Sequence, residues 1–137
     1  MAVAFTNEAE TIALKNFLNI LAPEDITIKL YSNNKTPGHT DVVGDYTEVS
    51  GGGYAHVTMD PVSWSVSAGN PSQAQYPQIT FTFTGATDSP STVYGYYAVG
   101  DGTGKLLWAD KFPNAPINIA NNGDQIKVTI TISLNNP

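Results

Sequence analysis

Apolar and polar positions along the chain change their period once, near residue 26. Before it, Ala9, Ala13, Phe17 and Ile20 recur at helical spacing, and Ile12, Leu14, Leu18 and Leu21 broaden the apolar side. Asn7 is placed to cap this helix, with Glu10 three residues on, and Glu8 and Glu10 both suit the positive end of the helix dipole. Pro23 sets its far limit, because proline disfavours the α conformation in the residue before it. The helix carries few charges. That predicts burial, either over an open face of the chain's own sheet or against a neighbouring subunit.

After residue 26 the period falls to about 2, the mark of strands with one buried face. Ile26, Ile28 and Leu30 alternate with Thr27, Lys29 and Tyr31, and Ile79, Phe81 and Phe83 alternate with threonines. Ile126, Val128, Ile130, Ile132 and Leu134 form the longest such run, which as one strand would reach roughly 30 Å. Shorter strands are expected at 46–49, 54–58, 62–66, 93–99, 105–111 and 117–119. Turn chemistry separates them, at Asn33 to Gly38, Gly51-Gly52-Gly53, Asp101 to Gly104 and Asn122-Gly123-Asp124. The expected fold is therefore mainly all-β, an antiparallel β-sandwich or jelly roll with one N-terminal α-helix. Residues 1–22 form the helical segment and 23–137 the sandwich, together a single domain with no repeat.

Two segments, 93–99 and 106–109, are apolar or aromatic on both faces. Such strands need cover on the second side from the helix, a long loop or another subunit.

Composition narrows the function. Among 137 residues there are twelve acids against six lysines, a net charge of −6, with no arginine and no cysteine. Nucleic-acid binders present basic patches and use the arginine fork, so such a partner is not expected. Without cysteine there are no disulfides, thiolate metal sites or cysteine nucleophiles. The N-terminus does not read as a secretory signal, and no stretch has the apolar length of a membrane span, so no membrane partner is expected either.

Catalytic and cofactor patterns are weak. His39 and His56 have no metal-ligand spacing, and no serine sits in a Gly-x-Ser-x-Gly elbow. Gly100 to Lys105 is glycine-rich but lacks the spacing of a phosphate loop and precedes a strand pattern, so it reads as a hairpin turn. The loop aspartates Asp41, Asp45, Asp60, Asp88, Asp101, Asp110 and Asp124 form no calcium-loop series. No enzyme activity, cofactor or metal is expected. Asn34-Lys35-Thr36 is a formal glycosylation sequon without a signal peptide to support it. Trp64, Tyr54 and Tyr76, near loops, are candidate glycan-stacking residues, with filling of the core and its rim as the alternative.

Read in order, Leu30 to Pro37, Asp45 to Ala55, Trp64, Gln78 to Gly85, Val93 to Tyr97, Leu106 to Phe112 and Asn121 to Ile126 cover nearly the whole chain. Through these segments it resembles a family of small structural proteins of tailed bacteriophages, of capsid decoration or cement type. The resemblance implies a virion component, made in the host cytoplasm and placed on the capsid surface. Its partner would be the major capsid protein, with self-association as a dimer or trimer. The N-terminal segment is the first candidate for contact through Phe17, Leu18 and Leu21, joined by Tyr94, Tyr96, Leu107 and Trp108 of the doubly apolar pair. A tail, fibre or head-fibre module that touches host glycans is the alternative implied position.

Overall fold

The computed structural model describes residues 4–134; the first three residues of the N-terminal segment lie outside the described part. The fold is mainly β, with every sheet antiparallel and a single N-terminal helix. In order these are β1 (Ala4–Phe5), α1 (Asn7–Phe17), β2 (Ile26–Tyr31), β3 (Val57–Thr58), β4 (Ser65–Ser67), β5 (Ser72–Gln75), β6 (Ile79–Thr82), β7 (Thr92–Val93), β8 (Gly95–Gly100), β9 (Leu106–Lys111), β10 (Ile117–Asn118), β11 (Gln125–Val128) and β12 (Thr131–Leu134). A five-stranded sheet runs β1-β9-β8-β2-β3, and smaller sheets pair β10 with β7, β11 with β6, and β12 with β5 and β4.

The period-2 pattern sets the main core. Ile28 and Leu30 of β2, Tyr96 and Ala98 of β8 and Trp108 of β9 pack in one cluster with Ile79 and Phe81 of β6 and Ile126 and Val128 of β11. This is sheet against sheet, with the threonines between the apolar positions of β6 left exposed. Each fully buried aliphatic or aromatic side chain contributes about 1.5–3 kcal/mol relative to exposure, so this cluster dominates the stability of the fold.

β8 is buried along its whole length and β9 nearly so, as their composition requires. The cover on the second face is a loop: Tyr46 and Val43, from the segment after β2, pack on Tyr31, Tyr97, Val99, Leu106 and Ala109. Tyr46 stacks on Tyr97 at 5.2 Å between centroids and meets Tyr31 edge-on at 5.0 Å. The loop is held by its own polar bonds. The Asp41 carboxylate accepts from the Tyr46 hydroxyl at 2.7 Å and the Gly38 N–H at 2.8 Å, and pairs with Lys35 at 2.8 Å. Burial alone would raise the Asp41 carboxyl, but the bonds from Lys35, Tyr46 and Gly38 outweigh it and hold it below the ordinary carboxylate range. Burial, then the Asp41 acceptor, pushes the Tyr46 hydroxyl well above its ordinary value, so it remains a donor.

Several local expectations are corrected. The helix cap is Thr6 and not Asn7: the Thr6 hydroxyl oxygen accepts from the Ala9 N–H at 3.1 Å. The same hydroxyl donates to the Leu106 carbonyl, and the Thr6 N–H donates to the Leu107 carbonyl at 3.1 Å. Leu107 is the extra residue of a β-bulge, since Ala98 pairs with Trp108 and Val99 with Leu106. Thr6 thus ties the start of α1 to the bulge of β9, using one buried side chain for both.

The far end of the helix also differs. α1 stops at Phe17, well before Pro23, because Asn19 turns left-handed with φ 58°. The Asn19 N–H then donates to Asn16 and the Ile20 N–H to Lys15, which satisfies two terminal carbonyls in a Schellman arrangement.

The long terminal run is two strands and not one. β11 pairs with β6, then the chain shifts at Thr129-Ile130 and β12 pairs with β5. Alternation continues across the shift, because Ile130 and Ile132 still turn inward, so periodicity alone does not reveal it. The strands expected at 46–49 and 54–58 shrink to a bridge at Glu48 and to β3, and the one at 62–66 becomes a 3-10 turn (Pro61–Ser63) followed by β4.

Candidate interaction surface

The N-terminal helix buries much less than its apolar composition predicts. Its inward line is Ala9, buried, and Ile12, packed at the edge of the main core. Glu8 of its first turn pairs with Lys105 at 2.9 Å, fixing it to the β8–β9 turn. On the opposite side Leu14 is 64% exposed, Phe17 89%, Leu18 62% and Ile20 70%. Positions 14, 17 and 18 are neighbours on a helix surface, and Ile20 follows directly from the left-handed turn at Asn19. Together they form an apolar crest with Lys15 as the one charge between Glu10 and Glu24. Beside it lies an open groove of about 570 Å³, lined by Thr11, Ile12, Ile20, Leu21 and Thr103 among others. Scattered exposed apolar residues are ordinary, whereas a contiguous group on one element is a candidate contact surface.

The sequence candidates divide accordingly. Phe17 and Leu18 stand on the crest and half-buried Leu21 lines the groove. Tyr96, Leu107 and Trp108 are 1%, 7% and 3% exposed inside the chain's own core, so they have no surface to offer a partner. Their doubly apolar strands are explained by the 32–48 loop. Tyr94 is half-buried, with the Lys111 ammonium 5.6 Å from its ring centre.

The glycan candidates are largely engaged. The Tyr54 hydroxyl accepts from the Leu30 N–H at 3.0 Å and donates to Glu48 at 3.1 Å, while its ring stacks on Phe81. Trp64 and Tyr76 meet edge to face at 5.2 Å, both half-buried against the main core, and the Tyr76 hydroxyl accepts from the Asp60 N–H.

The remaining polar candidates have structural partners. His39 lies 2.9 Å through Nδ1 from the Phe5 carbonyl, and His56 pairs with Glu48 at 3.2 Å. The glycine-rich turn binds the chain's own Glu24, which accepts from the Thr103 N–H at 2.6 Å and its hydroxyl at 2.9 Å. Asp101 accepts from the Thr27 hydroxyl, and Asp124 caps the N–H groups of Ala120 and Asn121. Among the described residues no group of three or more His, Asp or Glu is placed to hold a metal ion, and no helix is long and apolar enough to cross a membrane.

Asp110 differs from these acids in its burial, which outweighs the bond it accepts from the Lys111 N–H. It is 7% exposed, and burial raises its carboxyl above the ordinary range. A carboxyl that holds its proton more tightly when folded than when unfolded adds stability below its ordinary pKa and loses it as pH rises through the folded value. Asp110→Asn is therefore expected to raise the urea midpoint at pH 7, with the advantage over the parent shrinking as pH falls toward 3. A midpoint lowered at pH 7 but not near pH 3 would show that the ionised carboxylate is needed and would contradict this.

Comparison with family models, with curated proteins and with solved structures gave no match.

Proposed function

We propose that this chain is a non-enzymatic virion component, a capsid decoration protein that binds the outer surface of the major capsid protein and stabilises the head. The observation that carries the reading is the helix crest. Leu14, Phe17, Leu18 and Ile20 lie in water beside a groove, on a helix whose first turn is tied to the sheet by the buried Thr6 and, at the surface, by the Glu8–Lys105 pair. A pre-organised apolar element of this kind loses little entropy on docking, which favours binding by shape and neutral surface.

The rest of the molecule suits a passive clamp. Its two histidines and most loop acids are occupied in holding turns. Its acidic balance suits the outside of a particle better than a face toward packaged DNA, where lysine and arginine would be favoured. Decoration gains strength by bridging, because a rigid module attached at several points gains avidity from modest single contacts. The resemblance to phage structural proteins supports the same class, with a tail or fibre position as the second reading.

The test is reconstitution. Heads of the encoding phage stripped of this protein are mixed with purified full-length chain and sedimented. Saturable binding in a fixed ratio to capsid protein, with raised thermal resistance of the head, is expected. Binding to isolated tails and not to heads would overturn the decoration reading in favour of the tail.

A further inference from the structure

A second surface stands apart from the helix crest. In the small sheet, Val66, Ala74 and Ile132 are cross-strand partners on one face, with Leu134 next to them opposite Ser72. The other face is polar throughout: Ser65, Gln75 and Thr131 in one row, Ser67, Gln73 and Ser133 in the next. The apolar row is only partly covered. Ile132 packs on the main core, but Val66 is 77% exposed and Leu134 74%.

Two further properties of this sheet bear on what meets it. β4 is its outer strand, exposed at every residue, and has neither charge nor proline nor bulge to guard its edge. Natural sheet edges are usually blunted by one of these devices, because an open edge templates pairing with another chain. Moreover, residues 61–87 and 128–137 hold no charged side chain, so the side-chain charge of the chain lies elsewhere. Two copies of a molecule with net charge −6 repel through their charged surfaces, and this neutral edge is where they can approach.

We infer that β4 pairs antiparallel with β4 of a second copy across a two-fold axis centred on Val66. The pairing is isologous: each Val66 faces its counterpart, and the row Ile132, Ala74, Val66 continues into the partner's row in reverse order. One sheet then runs through both copies, apolar on one face and serine- and glutamine-rich on the other. The other outer strand, β12, is not exposed at every residue, since its Ile132 packs on the main core, which leaves β4 as the freer edge. The inference stands on this sheet and not on the decoration reading; a dimer of this kind would carry two helix crests.

The test uses the full chain in sedimentation equilibrium over a wide concentration range. The wild type is expected at twice the chain mass. Val66→Lys, at a site exposed in the single chain, places like charges opposite each other and is expected to raise the dissociation constant at least tenfold, its folding being checked by the thermal melt at concentrations where parent and variant are both monomeric. Val66→Cys supplies a second reading, since the chain has no other cysteine. Facing positions in an antiparallel pair lie within disulfide range, so mild oxidation is expected to give a covalent dimer, whereas Val62→Cys, exposed but off the axis, is not. A wild type monomeric at all concentrations, or Val66→Lys dimerising as tightly as the parent, would overturn the inference. So would a dimer that Val66→Lys leaves intact while substitutions on the helix crest dissociate it.

Discussion

Gly95→Ala is expected to lower the unfolding free energy by about 3 kcal/mol or more, the upper end for overpacking a close-packed site. Gly95 begins β8, paired with Tyr31 on one side and Lys111 on the other. A methyl group there would run into the Asp110 carbonyl oxygen and come within 2.6 Å of the Tyr31 hydroxyl. The carbonyl belongs to β9 and cannot rotate away. Tyr31 is fully buried among Tyr46 and Tyr97, and its hydroxyl donates to the Lys35 carbonyl, so it has no alternative place. Displacing it would also loosen the 32–48 loop that covers the second face. With a slope of about 1–3 kcal/mol per molar urea, the midpoint should fall by roughly 1 M or more at unchanged slope. An unchanged midpoint would mean that β8 and β9 are not pinched together at Gly95.

The second large effect is on binding and leaves the fold intact. Phe17→Ser with Leu18→Ser removes the two central side chains of the crest, neither of which packs in the core. If both are buried against the shell, each is worth about 1.5–3 kcal/mol, so the pair accounts for a factor of roughly a hundred or more in affinity. The melting temperature should stay the same or rise slightly, while binding to stripped heads falls by that factor. Undiminished binding would move the contact away from α1.

Much of this architecture is legible in the sequence where burial follows alternation. Ile28 and Leu30, Ile79 and Phe81, and Ile126 and Val128 are all inward, as their period-2 spacing predicts. The doubly apolar strands are likewise buried on both faces. What covers them was not legible, because the covering segment has the composition of a loop. Tyr46 and Val43 are held against the sheet by the bonds that Asp41 collects and by those of Asn33 to Asp45 and Thr47, and these partners come together only in the folded loop.

The helix shows the opposite limit. Its apolar residues predict burial on any side, and periodicity does not say which side meets the sheet. Thr6 decides that, by fixing the first turn to the bulge of β9 so that Ala9 and Ile12 face inward and Phe17 faces out. Contact candidates taken from the doubly apolar strand pair fail because both its faces are covered within the chain: Tyr96, Leu107 and Trp108 are core residues, whereas Phe17 and Leu18 remain outside. β4 and β5, built from Ser-Val-Ser and Ser-Gln-Ala-Gln, give almost no strand signal, and without them the neutral edge is invisible. The glycine run at 51–53 is readable as a turn. That all three residues are left-handed, with the turn laid directly against residues 84–88, is not.

The central claim is that the chain coats a capsid, and the most direct measurement of it is the copy number in purified virions by quantitative mass spectrometry against the major capsid protein. A fixed ratio to the capsid protein is expected, the same in every preparation and retained when tails are removed from the heads. A copy number that follows the tail proteins and is lost with the tails would contradict it.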